Sequence, residues 1–385
     1  MIRRKDLIDL LAKILYEVKV HRVSVDVAFK RVCKGVCAKG LDEREELYRV
    51  VREFISDYHK IMCYVGGDIS YREVARVWLD RKYVVPETPY CMYSYPKWFV
   101  DELLKVLSLD ELVEVLKAMN ERVWWLRINT LLSPEERVLR DLESEGVDYE
   151  VFKEVPYMVR VLSSRKPVRL LKVVREFKAV PQDLSSAVVV ESLRPAPNDY
   201  VVDLAAAPGM KTSLIMMLAE NKARIIACDK SLRRLTVMKG LLRRLGVDLS
   251  RVTLVYADST HLSFRGFDKA LVDAPCSNSG AIGKDPGIKI SLTKGKVVRN
   301  CEVQLKMLRN AVRLADYVVF STCSILPDEG EFIISKLGVN DFKLLKPIGW
   351  VGSGYPVVSF YNSVMRLMPH RHSCEGFFIA VLTLK

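Results

Sequence analysis

The sequence predicts an α/β protein: a mostly parallel, doubly wound sheet preceded by a helical domain and a small α/β unit. Three observations predict it. The front of the chain repeats apolar residues at helical spacing. A middle stretch sets strand-like runs on either side of one helix. From about residue 180 onward, strand and helix patterns alternate, which implies parallel strands with crossover helices. Half of the 385 residues are hydrophobic and 28% are charged, a balance that excludes disordered and fibrous classes.

In the first segment, residues 1–85, Leu7, Leu10, Leu11, Ile14, Leu15 and Val18 fall three and four apart, one face of an amphipathic helix. Residues 47–65 and 71–78 repeat the pattern, with breaks at Gly40 and at Gly66-Gly67. Pro86, Pro89 and Pro96 read as a linker that opens a second segment, 86–160. That segment holds a helical pattern over 99–120 and strands over 122–131 and 149–162. Between the strands, Ser133-Pro134-Glu135-Glu136 starts a helix. The third segment, 161–385, carries strand candidates at 200–204, 223–228, 252–256, 269–272, 317–320 and 377–382.

Charge and cysteine usage narrow the function. Lys and Arg number 60 against 47 Asp and Glu, a net charge of +13 that favours a polyanionic partner such as nucleic acid. The asymmetry is densest over 160–180, where Arg160, Arg165, Lys166, Arg169, Lys172, Arg175 and Lys178 face the single acid Glu176. The nine cysteines are odd in number and form no CxxC, so neither a disulfide framework nor a zinc site is expected. Asp6 and Asp9 interrupt any leader-like start, and no apolar run is long enough for a membrane span. A reduced, cytoplasmic protein without metal is expected.

Doubly wound sheets bind ligands at the carboxyl ends of their strands, where a loop meets a helix amino terminus. Here the first such loop is Asp203-Leu204-Ala205-Ala206-Ala207-Pro208-Gly209-Met210-Lys211-Thr212, neither a dinucleotide fingerprint nor a P-loop. Small side chains let a ligand approach the backbone. Asp229, ending the second strand, is placed to hold a ribose, and Asp258, ending the third, to accept from an adenine amino group. The set suits a nucleoside without pyrophosphate, and S-adenosylmethionine fits, with Asp203 near its cationic end.

The fourth strand ends in Asp273-Ala274-Pro275-Cys276-Ser277, and the next long strand in Ser321-Thr322-Cys323-Ser324. Two cysteines therefore belong at neighbouring strand ends. Carbon 5 of cytosine is a poor nucleophile until a thiolate adds at carbon 6 and makes the ring an enamine. An acid such as Asp273 would stabilise the displaced charge, and a second thiol could assist release. Cys228 and Cys301, by contrast, read as inert small hydrophobes.

From about residue 122 onward the chain resembles the Sun/Fmu family of RNA cytosine carbon-5 methyltransferases. The resemblance rests on Arg127-Ile128-Asn129-Thr130, Gln182-Asp183-Leu184-Ser185-Ser186, the loop 203–212, and the Asp273–Ser277 and Ser321–Ser324 stretches. The ending 366–380, with Gly376-Phe377-Phe378, also matches. It implies a Rossmann-like methyltransferase domain. Ala205, Ala206, Ala207, Pro208, Gly209, Met210, Lys211, Asp229, Asp258 and Asp273 would contact S-adenosylmethionine. Cys323 would be the nucleophile and Cys276 the aid to product release. Met210, Gly287 and Gly330 depart from the family pattern. The helical front end resembles, in size and architecture, a NusB-like RNA-binding domain. RNA is the expected partner and a monomer the expected state. Ribosomal RNA is the leading substrate, with transfer RNA or a catalytically idle assembly factor as alternatives.

Overall fold

The amphipathic repeats at the front of the chain fold as helices, as the structure, a computed structural model describing residues 3–34, 37, 40–338 and 342–384, makes visible. The extreme residues of the expected outer segments, Met1, Ile2 and Lys385, lie outside the described residues. The helix Arg4–Lys19 buries Leu11, Ile14, Leu15 and Val18 against Phe54, Ile55 and Trp78 from Leu41–Ser56 and Tyr71–Asp80. Ser24, Ser70 and Ser108 cap the helices that follow them by accepting from the N–H three residues on.

The chain divides into two compact units, and the border differs from the expected one. The helical unit runs to Arg122 and takes back Ser277–Lys296; the second comprises Val123–Cys276 and the chain from Val297 on. The prolines near 90 mark no loose linker. Pro89 starts the helix Pro89–Met92, and Pro96 caps Lys97–Leu103. Tyr95, buried, donates its hydroxyl to the Leu116 carbonyl. Cys63 and Cys91 form a disulfide, with Cα atoms 5.8 Å apart, that binds this stretch to the helix Tyr58–Val65. The odd cysteine count gave no reason to expect that bond.

Within the helical unit, the returning segment is held both by its short helix Gly287–Ser291, whose Ile290 packs on the core, and by polar contacts. Arg52 donates to the Gly283 and Lys284 carbonyls, both at 2.7 Å, and Asp285 accepts from the Val25 N–H at 3.1 Å. Lys289 is fully buried. Its Nζ reaches the Ser56 and Tyr93 carbonyls and lies 4.2 Å from the Tyr95 ring centre; burial pulls its pKa down to about 7. Gly287 fits tightly here, since a Cβ would stand 3.2 Å from Val18.

The second unit contains two sheets. In the first, β1 (Trp124–Ile128), β2 (Val147–Val151), β3 (Met158–Ser164) and β4 (Ala179–Pro181) lie in the antiparallel order β2-β3-β1-β4. The run expected as one strand over 149–162 is a hairpin. Pro156 lies in the turn, and Phe152 donates across it to the Met158 carbonyl.

The larger sheet is built on β5 (Tyr200–Asp203), β6 (Arg224–Asp229), β7 (Val252–Tyr256), β8 (Phe267–Asp273) and β9 (Ala315–Thr322), all parallel in the order β7-β6-β5-β8-β9. Antiparallel strands extend it beyond β9. These are β10 (Phe342–Leu345), β11 (Gly352–Ser353), β12 (Met365–Leu367) and β13 (Phe377–Leu384), with β13 against β9. The chain moves from β5 to one side through β6 and β7, then returns to place β8 and β9 on the other. The switch point between β5 and β8 leaves a crevice at their carboxyl ends, the ordinary ligand position in such sheets.

Candidate active site

The loop after β5 is shaped by its small residues. Ala205, Ala206 and Ala207 carry it to Gly209, whose φ of +101° no side chain adopts readily and where a Cβ would stand 2.9 Å from Met238. Met210 begins the helix Met210–Leu218 with ordinary backbone angles, so only Gly209 demands glycine there. Arg127, fully buried, supports the helix start from behind, donating to Ser213 Oγ at 2.9 Å and to the Met210 carbonyl at 3.4 Å. Burial pulls its pKa down to about 10. Asn129 spans the Phe177 and Leu245 carbonyls, each at 3.0 Å, which ties β1 to the larger sheet's helices.

Asp203, expected near the cationic end of a ligand, braces this loop instead. It is 1% exposed, accepting from Thr212 Oγ1 at 2.7 Å and from the Ala205 N–H at 3.3 Å. Burial pushes its carboxyl up to about 6 against the pull of those hydrogen bonds. Asp229 closes β6, accepting from the Ser231 N–H at 2.9 Å and pairing with Arg234 at 3.0 Å. Arg234 is half exposed and also reaches the Ala207 carbonyl, linking the end of β6 to the loop after β5. Asp258 is exposed and turned onto Thr260, whose N–H and hydroxyl hold its carboxyl below the usual range.

At the β8 end, Asp273 accepts from Lys211 Nζ at 2.7 Å and from Ser321 Oγ at 2.9 Å, joining the β5 loop to β9. Lys211 also lies 5.4 Å from the Phe377 ring centre. Cys276 and Cys323 meet with their sulfur atoms 3.2 Å apart. The structure joins Asp273 to Lys211 and Cys276 to Cys323. Asp229 and Asp258 stand at the next strand ends along the sheet. Cys228 and Cys301 are separate from the pair, and burial pushes both thiols up to about 12.

Several contributors carried no clear sequence signal. Arg366 on β12 is 1% exposed and paired with the fully buried Glu331 at 2.6 Å; it also donates to the Ser324 and Leu326 carbonyls, fixing the turn after Cys323. A single arginine between Met365 and Leu367 was the only hint. Gly330 is where Phe378 and Arg366 crowd closest, since a Cβ would stand 2.7 Å from the Phe378 ring, which explains the departure noted there. Gln304 and Glu329 were also missed.

The basic stretch is less one-sided than its sequence. Glu150 pairs with Arg160 at 2.6 Å, Glu176 with Lys178 at 2.6 Å, and Glu145 lies 3.9 Å from Lys166. Arg165, Lys166, Arg169, Lys172 and Arg175 are exposed. Arg244 lies over Phe177 at 5.0 Å, so the basic end of the helix Leu232–Arg244 adjoins them.

Residues 190–383 match the family model described as 16S rRNA methyltransferase RsmB/F, and residues 95–169 match the ferredoxin-like domain of RsmF/B-like methyltransferases. The chain belongs to the RsmB/F family. Among its curated relatives is the human 28S rRNA (cytosine(4447)-C(5))-methyltransferase, 30% identical over 75% of this chain and 38% of that protein. Another is ribosomal RNA small subunit methyltransferase B of Photorhabdus laumondii, 30% identical over 62% of this chain and 56% of that one. The chain spans about half the length of such relatives, from 38% to 56% in these two. The crystal structure of PH0851 matches with a TM-score of 0.81 at 25% identity, over 100% of this chain and 99% of that one.

Proposed function

We propose that the chain transfers a methyl group from S-adenosylmethionine to carbon 5 of a cytosine in ribosomal RNA. The observation that carries this reading is the Cys276–Cys323 pair, 3.2 Å apart, beside Asp273. Methylation of an exocyclic amino group would need neither thiol.

The donor site fits a nucleoside. The alanine loop and Gly209 let it lie against the backbone, and Asp229 supplies a buried carboxylate once Arg234 moves aside. Asp258 stands at the next strand end with one carboxylate oxygen turned onto Thr260. S-adenosylmethionine supplies an electrophilic methyl group when bound.

In the reading proposed here, the Cys323 thiolate attacks carbon 6 of the cytosine, forming an S–C bond while the ring's π electrons shift towards carbon 5 and nitrogen 3. A proton from solvent neutralises the charge at nitrogen 3, and the Asp273 carboxylate accepts a hydrogen bond from the resulting N–H. Carbon 5 takes the methyl group as the donor's S–CH3 bond breaks, leaving S-adenosylhomocysteine. Cys276, as thiolate, then takes the carbon 5 proton; the C–H electrons restore the double bond and the C–S bond breaks, expelling Cys323 as thiolate. Lys211, bonded to Asp273, keeps the carboxylate oriented. Exposed Arg165, Lys166, Arg169, Lys172 and Arg175, with Arg243 and Arg244 beside them, support a phosphate-binding face, and the helical unit is read as a second RNA-docking element.

The test is methylation of total RNA from cells lacking the protein, with methyl-labelled S-adenosylmethionine and bisulfite mapping. New 5-methylcytosine in ribosomal RNA is expected. Label confined to transfer RNA would change the substrate, and label on any atom but carbon 5 would overturn the chemistry.

A further inference from the structure

Both cysteines are preceded by a residue tied to the same buried pair. Gln304, on the helix Lys294–Leu314, is 0% exposed, and its side-chain amide donates to the Pro275 carbonyl at 2.9 Å, one residue before Cys276. The same nitrogen lies 3.2 Å from the Glu329 carboxylate. Glu329, also 0% exposed, accepts at its main-chain carbonyl from the Thr322 hydroxyl at 2.8 Å, one residue before Cys323. Asn300 adds a further donor to the Glu329 carboxylate at 3.4 Å.

An amide and a carboxylate buried among apolar side chains are costly unless their bonds are satisfied, and hydrocarbon of equal volume would pack as well. Loop closure alone gives no reason for them. Their partners, however, are the two residues that aim the thiols. β8 and β9 are already joined at their ends by the Ala274 N–H to Ser321 carbonyl bond at 2.9 Å. That ladder fixes the strand ends; beyond them lie the Pro275 turn and the turn after Cys323, which Arg366 also holds. Gln304 and Glu329 bridge those turns.

We propose that Gln304 and Glu329 are positioning residues that set the separation and facing of the Cys276 and Cys323 thiols. The proposal rests on the assignment of those thiols to attack and release. Neither residue touches the base; each acts through the main chain or hydroxyl next to a cysteine. The Gln304 amide holds the Pro275 turn down on the helix, and the Glu329 carbonyl holds Thr322, so displacement of either end separates the sulfur atoms.

Gln304→Met keeps the shape and removes the donor. Thr322→Val removes the other link, and Thr322→Ser keeps it. In the full-length protein, cross-linking of Cys276 to Cys323 by dibromobimane, located by mass spectrometry, reads the thiol spacing without RNA or methyl donor. Gln304→Met and Thr322→Val should each slow that cross-link by about tenfold, the rate equivalent of one lost hydrogen bond of this kind. Thr322→Ser should react at the wild-type rate. In turnover assays, Gln304→Met should lower kcat with KM for RNA unchanged and retain a protein–RNA adduct. Wild-type cross-linking rates in folded Gln304→Met and Thr322→Val would overturn the proposal. If Gln304→Met does not fold, Thr322→Val against Thr322→Ser decides it alone. Slowed cross-linking without adduct retention would uphold the positioning role and refute the release role of Cys276.

Discussion

Replacing Asp203 by asparagine should make the stability of this protein less sensitive to pH, by an amount the buried carboxyl sets. Asp203 is 1% exposed and burial raises its pKa from 3.8 to about 6. Below the unfolded value, near pH 4, folded and unfolded chains both carry the proton. Between there and about 6, the folded chain alone keeps it, so folded-state stability falls as the pH rises, and the loss is complete once the folded carboxyl has ionised. A shift of about two units corresponds to about 3 kcal/mol. The asparagine of Asp203→Asn has nothing to titrate and can still bond Thr212. Urea unfolding of both proteins at pH 3 and pH 8 should therefore show the variant gaining about 3 kcal/mol relative to wild type over that interval. A difference that stays flat would mean that burial leaves the Asp203 carboxyl unshifted, one that grows towards acid pH that its folded pKa is lowered, and either would refute the buried-brace account.

Asp229→Ala should weaken S-adenosylmethionine binding by about 1–3 kcal/mol in calorimetry, because the proposed donor site uses its buried carboxylate as the nucleoside's polar partner; unchanged affinity would remove Asp229 from the donor site. Neutralising Arg165, Lys166 and Arg169 together should flatten the plot of log RNA affinity against log salt by roughly 0.7–0.9 per lost contact. Lys166, near Glu145, should contribute least to that change. An unaltered slope would return the stretch to the status of a solvated face.

The local signals in the sequence were enough to locate the strand ends that line the crevice. The strand ends at Asp203, Asp229, Asp273 and Thr322 follow from apolar runs closed by a polar residue, and parallel alternation then puts all of them on one edge. What the sequence hid was non-local. Nothing near Ser277–Lys296 signals that this segment folds into the helical unit, because its anchors, Arg52, Ser56 and Tyr93, are some two hundred residues away in the chain. The prolines near 90 read as a linker until the disulfide and the buried Tyr95 place them. β10, β11 and β12 are too short for any period to register. Asp203 carried the same strand-end signal as Asp229, yet Thr212, nine residues on, turns it inward. The buried partners Gln304, Glu329 and Arg366 lie on elements whose patterns are otherwise apolar or solvent-facing, so only the fold brings them to the cysteines.

The central claim is a division of labour between two thiols 3.2 Å apart. It is tested by incubating Cys323→Ala and Cys276→Ala with RNA and S-adenosylmethionine and resolving the products on denaturing gels. Cys323→Ala should be inactive and form no covalent adduct, whereas Cys276→Ala should methylate its target and then accumulate a protein–RNA adduct stable to denaturation. The reverse pattern, an adduct with Cys323→Ala and none with Cys276→Ala, would contradict the account by moving the nucleophile to the Pro275-Cys276 turn.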